Sequence, residues 1–175
     1  MEIDLRWPLF LICNILLIIL LRMVNDATSL VGFYISLPAL LVLLPALHTP
    51  PRWGVLLCFA TALAYQAPYG GPVTPFLVIL GGGYVILRNF SSQLRRFRRF
   101  QLLTSLVVVN ALLIMAQSIL LAPEASLGEH YTQRILVDAL ISGLLIYPVG
   151  SWFIDFQYGL MLFTGSDPRS DAPPQ

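Results

Sequence analysis

Residues Leu102–Leu121 read LLTSLVVVNALLIMAQSILL, 20 positions without one charged side chain. Coiled into a helix rising about 1.5 Å per residue, such a run covers the roughly 30 Å hydrocarbon core of a bilayer. Three more long apolar segments lie along the chain: Trp7–Val24, Leu30–Leu47 and Ile135–Phe153. Composition carries the same message. Of the 175 residues 57% are hydrophobic and 11% charged, whereas soluble domains run at about 45–50% and 25%. So few polar side chains cannot clothe a water-facing surface, and the sequence predicts an all-α membrane protein.

Between the second and third long segments lie two shorter apolar runs, Trp53–Ala67 and Val73–Leu87. Pro68-Tyr69-Gly70-Gly71-Pro72 separates them and reads as a sharp helix break. The pair makes either two thin spans or a re-entrant hairpin, and we expect the former. The outcome is a compact bundle of about six transmembrane helices, one domain over residues 1–163, with residues 164–175 as a polar, disordered cytoplasmic tail. Met1–Pro8 sets Glu2 and Asp4 against Arg6, so a positive n-region is missing, and Leu9–Leu21 is expected to stay as an anchor.

Arginine decides the orientation. All ten basic residues are Arg, and five of them fall in the connection Arg88–Gln101, RNFSSQLRRFRRFQ. Placing that connection in the cytoplasm follows the positive-inside tendency and sets both termini inside, with Arg6, Arg52 and Arg169 on the same face and Arg22 and Arg134 opposite. Within it, Leu87, Phe90, Leu94 and Phe97 fall on one helical face, with Arg88, Arg95 and Arg99 on the other. Leu94, Arg95, Arg96, Phe97, Arg98, Arg99 and Phe100 are therefore candidates for contact with anionic lipid or a cytoplasmic partner, at about 1 kcal/mol per arginine near charged headgroups. So short a membrane-pinned stretch argues against nucleic acid.

Inside the spans, Asp138 stands four residues after Arg134, a spacing that lets the two form an ion pair one turn deep. Asn14, Asn110 and Gln117 are expected to bond across helices. Ala60 and Ala64, with Gly81, Gly82 and Gly83, are expected to form a close-packing groove. Cys13 and Cys58 are isolated in apolar runs and suggest neither a disulfide nor a metal site. No catalytic constellation, cofactor motif or metal-ligand cluster is visible, and His48 and His130 fall on opposite membrane faces. The sequence reads as a non-enzyme.

The stretch Leu37–Leu87, LPALLVLLPALHTPPRWGVLLCFATALAYQAPYGGPVTPFLVILGGGYVIL, sets out a proline-led span, a short turn, a small-residue helix, a glycine-containing break and another span. In this order, and in the arginine-bearing connection, two long spans and final aromatic segment that follow, the chain resembles the rod shape-determining protein MreD family. It departs from the family at Ala64-Tyr65-Gln66-Ala67, where an acidic residue is common. The resemblance implies a multi-pass scaffold of the bacterial inner (cytoplasmic) membrane. Its partners would be a bitopic MreC-like protein, actin-like MreB and cell-wall synthases of the elongation machinery. The family's fold is similar to the substrate-binding subunits of energy-coupling-factor vitamin transporters, so the alternative is a small-ligand-binding subunit of an ATPase-coupled transporter. Those subunits dock through an alanine pair in the first span, and Trp7–Val24 has no alanine.

Overall fold

The computed structural model of the chain describes residues 6–67, 73–121 and 129–164. The break at Pro68–Pro72, the His130 side chain and the expected tail beyond residue 164 lie outside them. The order is α1 (Arg6–Thr28), a 3-10 turn (Ser29–Val31), α2 (Pro38–His48), α3 (Pro51–Gln66), α4 (Thr74–Asn89), the short α5 (Ser91–Leu94), α6 (Arg99–Leu121), α7 (Glu129–Leu145), a π turn (Ile146–Gly150) and α8 (Ser151–Phe163). Among the described residues there is no strand. Three helical stretches, Arg6–Val31, Arg99–Leu121 and Tyr131–Phe163, are long and apolar enough to cross a membrane. The chain is a helical membrane protein.

The first long helix is apolar on both sides, and its amides face inward. On α1, Ile12, Leu16, Ile19 and Met23 are exposed, while Asn14 and Asn25 share the buried face with Phe10, Cys13, Leu17 and Leu21. A water-soluble helix sorts its residues the other way. Lipid explains the inversion, because outside it no water satisfies an amide and inside a neighbour can.

At the centre lies α2, buried at every position from Pro38 to Leu47 and enclosed by α1, α3, α4 and α6. The expected span Leu30–Leu47 is thus helical only in its second half. Gly32 closes the turn after α1 in the left-handed region (φ 84°), where a Cβ is unfavourable. Residues 33–37 then run without helix. Pro38 starts α2 at its first turn and disfavours helix at Leu37, which sits at φ −125°, ψ 49°. The last span also differs from expectation. It continues through Phe163, and the π turn holds Pro148, which cannot donate to the helical ladder.

Close approach in the bundle depends on Gly54 more than on the Gly81–Gly83 triplet. A Cβ on Gly54 would lie 2.2 Å from the Tyr84 hydroxyl oxygen, and one on Gly83 2.9 Å from Leu113 Cδ1; on Gly81 or Gly82 it would meet nothing within 4 Å. Consecutive helical residues point about 100° apart, so three glycines in a row cannot all face one neighbour. Of the expected packing set, Gly83 meets the core and Ala60 and Ala64 are half-buried. Gly54→Ala is expected to cost about 1–3 kcal/mol from overpacking. Gly82→Ala should be neutral or stabilising by up to about 1 kcal/mol. Thermal unfolding of the purified variants in one detergent checks both.

Candidate functional site: a polar cradle and its pocket

An extended segment inside a membrane bundle needs partners for its backbone, because each unpaired peptide group in an apolar interior is costly. Here side chains supply them. Asn25 pairs with both groups of Ile35, accepting from its N–H at 2.7 Å and donating to its carbonyl at 2.8 Å. Asn110 donates to the Ser36 carbonyl at 3.0 Å and accepts from the Ala39 N–H at 3.2 Å. From α7, Asp138 Oδ1 accepts from the Tyr34 N–H at 2.8 Å and Ser142 Oγ from the Ser36 N–H at 3.0 Å. The spacing fits, since four helical residues rise about 6 Å and two extended residues about 6.6 Å. One face of α7 thus stands in for a neighbouring strand. The Ser36 hydroxyl completes the cradle, donating to Gln117 Oε1 at 3.3 Å.

Asn14 mends a second break. Pro45 lies inside α2 and offers no N–H, so the carbonyl of Leu41, four residues earlier, loses its helical donor. Asn14 Nδ2 donates to that carbonyl at 2.9 Å and to Thr61 Oγ1 at 3.1 Å. Asn14→Leu is therefore expected to destabilise by about 1–3 kcal/mol. In a Pro45→Ala background, where the N–H returns, the same change should cost clearly less. A double-mutant cycle read by thermal unfolding measures the difference.

The far end of α2 is held by arginine. Pro45 O accepts from the N–H and hydroxyl of Thr49, while Arg88 Nη1 donates to the carbonyls of Ala46 (3.0 Å) and Thr49 (2.9 Å), and Arg95 donates to the carbonyl of Leu47. These are carbonyls that a helix end leaves without internal donors, at the negative pole of its dipole. The basic connection accordingly is not one interfacial helix. Leu87 and Leu94 are buried, and residues 95–97 form a turn. Phe97, Phe100, Arg96 and Arg98 remain exposed. Arg99 pairs with Asp155 at 2.5 Å and donates to the Ser151 carbonyl. Both side chains of this pair are more than half exposed, so it contributes little.

The expected pairing of Arg134 with Asp138 is corrected: among the described residues the salt bridge is Arg99–Asp155, and Asp138 serves the Tyr34 backbone instead. Both residues line a cavity of ≈ 230 Å³ between the extended segment, α6 and α7, together with Tyr34, Ser36, Gln117 and Tyr131. A second, almost wholly apolar groove of ≈ 570 Å³ runs between α3 and α4 along Val55, Leu56, Phe59, Leu77, Gly81 and Val85.

Sequence reasoning placed Asn14, Asn110 and Gln117 as cross-helix amides without their acceptors, and it missed Asn25, Ser142 and the capping role of Arg88. The signal for Asn14 was present in Pro45, whose missing N–H predicts an orphan carbonyl four residues before it. A scan against protein-family models finds no match, and neither curated proteins nor solved structures yield one.

Proposed function

We propose that the chain is a non-enzymatic scaffold of the bacterial inner membrane, of the MreD type, that assembles the cell-elongation machinery. The observation that carries this reading is the apolar groove between α3 and α4. It is lined by Val55, Leu56 and Phe59 on one helix and by Leu77, Gly81 and Val85 on the other. Small residues admit a neighbouring helix closely in lipid. The groove suits the single transmembrane helix of a bitopic MreC-like partner. Phe97 and Arg98, exposed between α5 and α6, and Phe100, exposed in the first turn of α6, suit an actin-like MreB filament or a cell-wall synthase. The buried amides support a structural role, since Asn14, Asn25 and Asn110 hold the protein's own backbone.

The finer topology, six crossings with both termini in the cytoplasm, belongs to the same reading. Trp7 stacks on Trp53 with ring centroids 5.6 Å apart, which brings the starts of α1 and α3, and with them Arg6 and Arg52, to one end of the bundle. Arg88 and Arg95 reach the last carbonyls of α2 just before that start of α3. The concentration of arginine and tryptophan at this end supports its placement at the cytoplasmic interface. Arg22 and Arg134 lie toward the other end.

The test is affinity recovery of the tagged chain from its own membranes in gentle detergent. A bitopic periplasmic coiled-coil protein, with an actin-like filament protein or cell-wall synthases, should come with it. Gly81→Leu should remove that partner without lowering the unfolding temperature, because a Cβ there meets nothing within 4 Å and leucine favours helix over glycine. Recovery of an ATPase pair with a membrane coupling subunit would instead establish the transporter alternative.

A further inference from the structure

We infer that the cavity between the extended segment, α6 and α7 binds a small zwitterion, an oxyanion with a primary ammonium close to it. Two opposite charges stand one helical turn apart at this cavity without neutralising each other. Arg134 is exposed and has no ion-pair or hydrogen-bond partner among the described residues. Asp138 is half-buried and receives one hydrogen bond, the Tyr34 N–H on Oδ1. Its other oxygen has no donor among the described residues. Gln117 is similar, its carbonyl oxygen engaged by Ser36 and its amide N–H₂ without an acceptor among the described residues. An intramembrane carboxylate with one donor is poorly compensated. An occupant with its charges in the reverse order would satisfy all three groups, its oxyanion on Arg134 and Gln117 and its ammonium N–H on Asp138.

Size and surroundings narrow the class. At ≈ 230 Å³ the cavity, open on one side, has room for a group of headgroup size, roughly eight waters at about 30 Å³ each. Ile114, Ser118, Leu121 and Ile135 complete its lining, and the neighbouring Leu120, Leu136 and Leu140 are exposed toward lipid. The headgroup of phosphatidylethanolamine, with its tails along that surface, has this chemistry. A free amino acid has it too.

Native mass spectrometry of the purified full-length chain, titrated with phosphatidylethanolamine, phosphatidylcholine and phosphatidylglycerol, tests the site. Phosphatidylethanolamine should bind about tenfold tighter than the other two, since choline lacks an N–H for Asp138 and glycerol lacks the charge. Asp138→Asn retains an acceptor for the Tyr34 N–H, and Arg134 is exposed, so neither Asp138→Asn nor Arg134→Gln should unfold below the wild-type temperature, yet both should lose that preference. Free serine and phosphoethanolamine form the second arm. Binding of either at wild-type sites, abolished by both substitutions, identifies a soluble ligand as the source; inability to compete identifies the lipid. Equal binding of the three lipids with no binding of the soluble zwitterions overturns the site, as does wild-type behaviour of both variants. Partner recovery does not enter this result, so the scaffold reading stands or falls separately.

Discussion

Asn110→Leu is expected to lower stability by about 2–5 kcal/mol, among the largest effects of any single substitution in the bundle. The side chain is 1% exposed and serves two backbone groups at once, the Ser36 carbonyl and the Ala39 N–H. Leucine nearly conserves volume but leaves both without a partner, and a buried unpaired polar group costs about 1–3 kcal/mol. No water is at hand to replace it in an apolar interior. Asn110→Asp separates the two contacts when ionised, because the carboxylate keeps the acceptor for Ala39 and loses the donor for Ser36. Its cost should be small if the carboxyl is protonated, since its O–H can donate to the Ser36 carbonyl, and larger if it is charged. Reversible unfolding in mixed micelles reads both variants. A loss under 1 kcal/mol for Asn110→Leu would mean that the segment finds other partners and that residues 33–37 are not fixed by this amide.

Much of this was legible in the chain. The long apolar runs led to α1, α6 and the stretch ending at Phe163, because a lipid-spanning helix needs only length and hydropathy. The extended segment was harder. Its residues Phe33–Leu37 are apolar enough to pass for helix, and hydropathy does not distinguish coil from helix in lipid. Gly32 and Pro38 were the local signal, a left-handed turn and a helix start six residues apart. The cradle could be anticipated only in kind. Asn110 lies mid-span and calls for an acceptor, but the choice of Ser36 and Ala39 depends on how three helices meet.

The ion pair expected between Arg134 and Asp138 illustrates the same limit. Spacing of four residues permits a contact on an isolated helix, where it is worth a few tenths of a kcal/mol. A backbone N–H brought to Asp138 by the fold competes with it and cannot be seen from α7 alone. Arg95, Arg96, Arg98 and Arg99 were read together as contacts for anionic lipid or a cytoplasmic partner. The fold divides the arginines of the connection, giving Arg88 and Arg95 to the end of a buried helix and leaving Arg96 and Arg98 exposed.

That division sets up the second large effect. Arg88→Met with Arg95→Met is expected to destabilise by about 2–5 kcal/mol, while Arg96→Met with Arg98→Met should stay within about 0.5 kcal/mol. Methionine keeps much of the aliphatic stem, so the loss reports the guanidinium contacts and not the packing of the chain. Each charge-assisted bond to a carbonyl is worth about 1.5–3 kcal/mol. Because both arginines act on one helix end, the double variant should lose less than the two single losses combined. Binding to anionic vesicles supplies the contrast. A lipid anchor built on charge alone would lose affinity equally in the two pairs, and their stabilities would match. If Arg88 and Arg95 cap α2, the pair that unfolds the protein and the pair that weakens vesicle binding are different pairs.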